Sequence, residues 1–157
     1  VCIVLAAGTG FRSFATRGKG LSAEYYEGNN FKKLLRKHRD LKIDFELDGR
    51  GPIRGVKWDN FSARWTGVLN VPADGDYEFI TRSDDGVRLW IDGELLFENW
   101  NIHRPAIDKA NRTLTAGPHS IKVEWFQARG PAMLKLYWRM PSDAQPRIIE
   151  PDYFSPS

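Results

Sequence analysis

Cysteine is nearly absent from this chain. Cys2 is the single cysteine among 157 residues. One cysteine cannot form an internal disulfide, and it offers no Cys/His spacing for zinc. A disulfide scaffold and a zinc module are therefore excluded. If the protein is exposed outside the cell, the lack of disulfides would be consistent with a bacterial source.

Long apolar runs are missing as well. Residues 1–7 are apolar, but seven residues are too few to span a bilayer. Glycines and cationic residues follow, a composition typical of linkers. We interpret the apolar segment as a strand that docks on a neighbouring subunit or as the end of a truncated upstream segment. Residues 1–20 could thus support self-assembly, and residues 1–19 are set apart from the domain.

Motifs of catalysis are also lacking. There is no Ser/His/Asp order, no glycine loop that would cradle a phosphate and no cysteine nucleophile. The adjacent Asp84 and Asp85 cannot flank a glycosidic bond, which needs carboxyl groups about 5 to 9 Å apart. We expect this chain to be no enzyme, with any catalysis residing in another domain of the full protein.

The composition is that of a folded domain rich in aromatic residues. Hydrophobic residues make up 41% of the chain and aromatic residues 13%, which excludes a disordered tail. Short runs of alternating polarity separated by turns predict an all-β fold, an antiparallel β-sandwich or barrel, over residues 20–140. Residues 30–38 are the one candidate helix. Residues 141–157 contain four prolines and are predicted to form an extended surface tail.

Two local pairings are expected. Asp92-Gly93, between two strand-like runs, is a strong hairpin signal. Residues 121–126 and 134–139 both alternate apolar and polar side chains, and we expect them to pair across the loop at residues 127–131.

The basic run at residues 32–39 could attract a polyanion such as nucleic acid, lipid headgroups or acidic polysaccharide. It contains no interleaved aromatic residue, which binding of single-stranded nucleic acid usually requires. A solvated face is the preferred interpretation, and nucleic acid is not expected as a partner. The net charge of +3 decides nothing by itself.

The most informative feature is the pair Asp84-Asp85 followed by Gly86. Adjacent side chains of a regular strand point to opposite faces, so two carboxylates converge only where the backbone kinks, and Gly86 permits a kink. Converging carboxylates need a proton or a cation between them, and calcium suits oxygen ligands on loops. Asp-Asp-Gly is also ordinary turn chemistry. The residues alone leave both interpretations open.

A set of motifs in fixed order resembles the protective-antigen fourteen-kilodalton domain family, named for the anthrax toxin component and found in yeast flocculins, bacterial adhesins and glycosidases. The resemblance runs from about residue 20 to residue 138. They are GLSAEYY (20–26), FSARWTG (61–67), SDDGVRLWIDG (83–93), NW (99–100) with His103, and VEWF (123–126).

The resemblance implies a β-sandwich that, in lectin-like members, binds sugar hydroxyls through calcium. It implies a cis peptide between Asp84 and Asp85, with both carboxylates on the metal, and Gln127 is the best candidate for a further ligand. Calcium accepts six to eight oxygens, so a site with few protein ligands leaves room for sugar hydroxyls.

Aromatic and polar side chains near this loop are candidates for contact with the sugar, because a pyranose stacks its C–H faces on aromatic rings. Trp100 and His103 could contact ligand or serve as core and backbone-bonding residues, and both interpretations stay open. Asn99 belongs to the same loop. Arg129, beside the predicted metal loop, would weaken calcium binding or contact an acidic sugar.

We therefore predict an extracellular or cell-surface carbohydrate-binding module, lectin-like or adhesin-like, with calcium as cofactor and a glycan or polysaccharide as partner. The alternative is a structural or assembly module of a surface or fibre protein, in which the apolar N-terminal strand docks on a neighbouring subunit.

Overall fold

The computed structural model describes residues 18–157, so the docking strand predicted at residues 1–7 lies outside the described residues. Apart from one 3₁₀ helix, Pro151–Tyr153, the regular elements of this part are strands. In chain order they are β1 (Leu21–Glu27), β2 (Lys33–Asp40), β3 (Asp44–Leu47), β4 (Phe61–Val71), β5 (Gly75–Asp84), β6 (Val87–Ile91), β7 (Glu94–Asn99), β8 (Ala106–Leu114), β9 (Gly117–Gln127), β10 (Ala132–Arg139), β11 (Arg147–Ile148) and β12 (Phe154–Pro156).

The strands form two antiparallel sheets, which confirms the predicted all-β sandwich. One sheet has the order β2-β1-β4-β9-β6-β7, with β12 added to β4. The other has the order β11-β10-β5-β8, with β3 added to β10. The central strands β4 and β10 alternate buried and partly exposed side chains, because one face of each sheet meets the other sheet and one meets solvent.

Three tryptophans fill the space between the sheets. Trp65 of β4 and Trp125 of β9 stack with ring centroids 6.3 Å apart, and Phe45 of the opposite sheet lies within 5.9 Å of both. Trp138 of β10 packs on Tyr77. All three tryptophans are fully buried, and truncation of such a residue to alanine costs about 3–5 kcal/mol.

The hairpin predicted at Asp92-Gly93 is confirmed, since β6 and β7 pair on either side of it. Both turn residues have positive φ, 51° at Asp92 and 77° at Gly93. These angles belong to the tight turn whose twist matches that of the flanking strands.

The helix predicted at residues 30–38 is wrong. This segment is a turn followed by β2, an edge strand paired with β1 from Leu21↔Asp40 to Glu27↔Lys33. Backbone hydrogen bonds to β1 override the helical propensity of its Lys, Leu and Arg residues. No helix of the described part has the length and hydropathy to cross a membrane.

The pairing predicted between residues 121–126 and 134–139 is also wrong. β9 pairs with β4 and β6, whereas β10 pairs with β3, β5 and β11. The loop after Gln127 therefore crosses from one sheet to the other. Alternating polarity marks a strand with one buried face, but it does not say which neighbour the strand has.

The C-terminal segment is part of the sandwich, so the extended tail predicted at residues 141–157 needs correction. β11 pairs with β10, and β12 pairs with β4 from Phe154↔Leu69 to Pro156↔Gly67. Ile149 and Phe154 are buried in the core. β11 contains no proline, and the one proline of β12, Pro156, is its last residue.

A candidate calcium and glycan site

Asp84 and Asp85 lie where the chain crosses between the two sheets. Asp84 is the last residue of β5 in one sheet, and Val87 begins β6 in the other. The peptide bond between the two aspartates is cis, as the family resemblance implied. The pair thus stands at the edge of the sandwich interior.

Gly86 lies so close to the Phe126 ring that no side chain would fit at position 86. A Cβ at this position would lie 2.2 Å from Cε1 of the Phe126 ring. The Phe126 amide also donates a hydrogen bond of 3.0 Å to the Gly86 carbonyl. Glycine is therefore required for close approach, and this contact fixes the aspartates against β9.

Both aspartates are buried, with 8% of Asp84 and 2% of Asp85 exposed. Asp85 accepts backbone hydrogen bonds on both oxygens, from His103 N at 3.2 Å and from Ala128 N at 2.9 Å. Neither aspartate forms an ion pair with a Lys or Arg of residues 18–157. Two buried carboxylates without a positive side chain are costly in this state.

The electrostatics of the pair favour a cation. Burial, the charge of Asp85 and a hydrogen bond with its carboxyl raise the pKa of Asp84 to about 6, against a smaller lowering effect of His103. At neutral pH Asp84 is therefore mostly ionised, although burial and the charge of Asp85 make its ionised form less favourable. A divalent cation between the carboxylates would remove this repulsion.

Gln127 adds an unpaired oxygen at the end of β9. Its side chain is fully buried, and Nε2 donates to the carbonyls of Gly130 and Pro131 at 3.0 and 3.2 Å. Oε1 has no hydrogen-bond partner. A buried amide oxygen without a donor is the kind of group that a hard cation satisfies.

The donor set fits calcium better than zinc. No group of three or more His, Cys, Asp or Glu side chains that could hold a metal occurs in residues 18–157. A metal here would have two carboxylates and otherwise neutral oxygens, from Gln127, the backbone or an external ligand. Calcium accepts such mixed oxygen shells, whereas zinc requires nitrogen or sulfur ligands in most sites.

The loop after β7 contacts the aspartates through His103. Its Nδ1 donates to the Arg104 carbonyl at 2.7 Å, and its Nε2 is buried without a partner. Trp100 packs on Phe126 with centroids 4.8 Å apart, and the Arg88 guanidinium lies 4.0 Å from its ring centroid. The contacts of Trp100 with Phe126 and Arg88 thus hold this loop against the sandwich.

Asn99, in contrast, donates to Asp108 Oδ2 at 3.0 Å. Its amide is therefore already engaged within the sandwich.

An open cleft of about 580 Å³ lies beside Asp85. It is lined by Asn29, Asp59, Asn60, Ile102, Ala128 and Arg129. Two of these connect it to the aspartate, since Ala128 donates to Asp85 and Ile102 precedes His103. Asp84 borders a separate pocket of about 300 Å³ with Asp48 and Pro105.

Sequence reasoning singled out Arg129 but missed the other lining residues. Asn29, Asp59 and Asn60 come from loops far from Asp84 in the chain, and no local signal marks them. Ile102 could have been noticed, because it is an apolar residue in a polar loop, and 72% of it is exposed.

Comparison with known proteins identifies the family. The PA14 domain family matches residues 18–152. The chain belongs to the PA14 domain family. This PA14 domain therefore shares the fold that the motifs implied.

Its relatives include anti-sigma factors. Over 141 residues the PA14 domain is 36% identical to the anti-sigma-I factor RsgI3 of Acetivibrio thermocellus, a match that covers 89% of this chain and 22% of that protein. A solved structure of an anti-sigma factor domain-containing protein is 36% identical with a TM-score of 0.83, covering 88% of this chain and 49% of that one. The chain thus spans about a fifth of its curated relative.

A third protein is similar to this domain in fold alone. The PA14 sugar-binding domain from an RTX adhesin superposes with a TM-score of 0.73 at 18% identity, covering 89% of this chain and 99% of that one.

Proposed function

We propose that this PA14 domain is a carbohydrate-binding module that holds calcium with Asp84, Asp85 and Gln127. The observation that carries the proposal is the pair of buried carboxylates without a Lys or Arg partner in the described chain, together with the unpaired buried oxygen of Gln127, whose neighbour Ala128 donates its amide to Asp85. Such a set has the character of a metal site rather than of a turn.

The bound calcium would supply open coordination positions for sugar hydroxyls. Because calcium takes six to eight oxygens and the protein offers few, two neighbouring hydroxyls of a pyranose can complete its shell. The cleft next to Asp85 gives the sugar a place to lie, with Ile102 as an apolar contact and Arg129 as a hydrogen-bond donor. Backbone amides of His103 and Ala128 hold Asp85 in place.

The similarities support this proposal from two directions. The RTX adhesin domain of the same fold is described as sugar-binding. The 36% identity to an anti-sigma-I factor supports a place for the domain within a regulatory protein, and we propose that it would be the ligand-sensing part of that protein at the bacterial cell surface. In that role the domain would carry no catalytic activity.

The direct test is calorimetry with calcium followed by a glycan array. The parent chain should bind calcium and then a glycan, and Asp84→Asn/Asp85→Asn should bind neither. The matched control is Asp74→Asn/Asp76→Asn, which alters two exposed carboxylates near the turn before β5. Calcium-independent glycan binding by the double variant would contradict the proposal.

The regulatory role has its own test. In cells that contain the complete protein, a reporter driven by the cognate sigma factor should respond to the glycan identified on the array. Asp84→Asn/Asp85→Asn in the complete protein should abolish the response while protein abundance stays unchanged. A response that persists in this variant would remove the sensing role.

A further inference from the structure

The cleft beside Asp85 is lined from two loops that are distant in the chain. The β1–β2 loop (residues 28–32) contributes Asn29, and the β7–β8 loop (residues 100–105) contributes Ile102. A ligand in this cleft would meet both loops. Their position relative to each other therefore decides whether the ligand fits.

An aromatic contact joins the two loops. Phe31 and Trp100, one from each loop, stack with ring centroids 5.9 Å apart and ring planes inclined by 17°. Phe31 has a φ of 54°, which is unusual for a bulky side chain. The Phe31 amide donates to Ser62 Oγ at 2.8 Å, and that hydroxyl donates to the Gly28 carbonyl at 2.8 Å. These bonds to β4 hold the loop in the conformation at which the Phe31 ring reaches Trp100.

Charged side chains of the seven-stranded sheet support both rings. The Arg64 guanidinium lies 4.2 Å from the Phe31 ring centroid, and the Arg88 guanidinium lies 4.0 Å from that of Trp100. Buried Glu124 forms ion pairs with both arginines, at 2.7 Å to Arg64 and 3.6 Å to Arg88. Cation–π contacts to two paired arginines thus stabilise the aromatic stack on the sheet.

Backbone hydrogen bonds connect the β1–β2 loop to Asp85 by a second route. Gly28 N donates to the Asn60 carbonyl at 2.8 Å, and Asn60 N donates to the Ala128 carbonyl at 3.1 Å. Ala128 N donates to one carboxylate oxygen of Asp85, and His103 N of the β7–β8 loop donates to the other. Asp85 is therefore connected to both loops, one through each oxygen.

The Phe31–Trp100 stack closes these connections into a ring of contacts that includes both loops and Asp85. A loop held at two points opens less readily than a loop held at one, because opening must break both attachments. Asn29 Oδ1, in the β1–β2 loop, is buried without a hydrogen-bond partner. A hydroxyl group of a ligand that reached this oxygen would satisfy it.

We propose that Phe31 is a positioning residue for glycan binding. Its stack on Trp100 holds the β1–β2 loop, and Asn29 with it, in place relative to the β7–β8 loop. This inference rests on the proposed function, because that function assigns the cleft to a glycan. Loss of the stack should weaken glycan binding more than calcium binding, since Asp85 would keep its hydrogen bond from Ala128.

Amide hydrogen exchange in the metal-free protein tests the connection between the loops. In Phe31→Ala the His103 amide should exchange about three- to tenfold faster, because local opening no longer breaks an aromatic pair. The matched control is Trp90→Ala, which removes another partly exposed ring of the same sheet, one that contacts Lys122. An unchanged His103 rate in Phe31→Ala, or an equal change in Trp90→Ala, would overturn the inference.

Calorimetry separates the effect on the glycan from the effect on the metal. The probes are calcium alone and, at saturating calcium, the oligosaccharide that binds the parent most tightly on the glycan array. Phe31→Ala should weaken oligosaccharide binding about three- to tenfold and change calcium affinity by less than about twofold. Phe31→Tyr keeps the ring and should bind like the parent, whereas Phe31→Leu is apolar without a ring and should bind like Phe31→Ala.

The outcomes distinguish this inference from the proposed function. If the parent binds calcium and the oligosaccharide but Phe31→Ala and Phe31→Leu bind both as the parent does, the positioning role is refuted and the proposed function stands. Equal weakening of calcium and oligosaccharide, or a loss in Phe31→Tyr as large as in Phe31→Ala, would also refute it. If the parent binds no calcium or no glycan, the proposed function fails and the positioning role fails with it.

Discussion

The pH dependence of calcium binding follows from the pKa of Asp84. Because burial and the adjacent Asp85 raise this pKa to about 6, calcium must displace a proton from Asp84 at lower pH. One displaced proton reduces affinity about tenfold for each pH unit below that pKa. Between about pH 7 and about pH 5 the calcium affinity should therefore fall about tenfold.

The stability of the metal-free protein should change in the opposite direction. The ordinary pKa of 3.8 applies to the unfolded chain, and the folded value is raised to about 6. The contribution of Asp84 to folding is therefore fully present below about pH 3.8 and is lost as pH rises through about 6. In calcium-stripped buffer, acidification from about pH 7 to about pH 5 should raise the thermal midpoint on account of this residue.

Calorimetric titration of calcium across this pH range is the assay, with melting curves of the stripped protein measured in parallel. Asp84→Asn is the control for the melting curves, since it removes the titrating group and should abolish its share of the gain at low pH. A calcium affinity that is constant between about pH 7 and about pH 5 would refute the coupling between metal and proton.

Three further predictions concern neighbouring residues. In urea unfolding, Gly86→Ala should lower the free energy of unfolding by about 1–3 kcal/mol, because the new Cβ would overlap the buried Phe126 ring. The control is Gly93→Ala, whose Cβ would contact nothing within 4 Å and which should show only the cost of positive φ. Gln127→Ala should lower calcium affinity in calorimetry, and an unchanged affinity would exclude its Oε1 as a ligand. Burial lowers the pKa of His119, but hydrogen bonds to Asp92 and Thr115 outweigh burial and raise this pKa overall. The thermal midpoint should therefore fall as pH rises above about 6.5. His119→Gln should not show this fall, and an identical fall in both proteins would disprove the assignment to His119.

Sequence reasoning succeeded where the information was local. The Asp92-Gly93 turn requires positive φ at two adjacent residues, and the residue types there state this directly. The cis peptide between Asp84 and Asp85, which the motifs around the pair implied, is also present.

The errors concern long-range partners. β2 is a strand because β1 lies beside it, and no property of residues 33–40 alone says so. The distribution of β9 and β10 between two sheets is likewise set by pairing with β4 and β5. Asn29 and Asp59 reach the cleft only through this topology, which explains why the cleft was not predicted in full.

The measurement that tests the central claim most directly is the thermal midpoint in calcium-stripped buffer against a calcium titration, for the parent and for Asp84→Asn/Asp85→Asn. Calcium at a hundred times its dissociation constant should add about 2.7 kcal/mol to the parent, a rise of about 5–10 °C for a chain of this size. The double variant should show no rise. An unchanged midpoint in the parent, or an equal rise in both proteins, would contradict calcium binding by the aspartate pair.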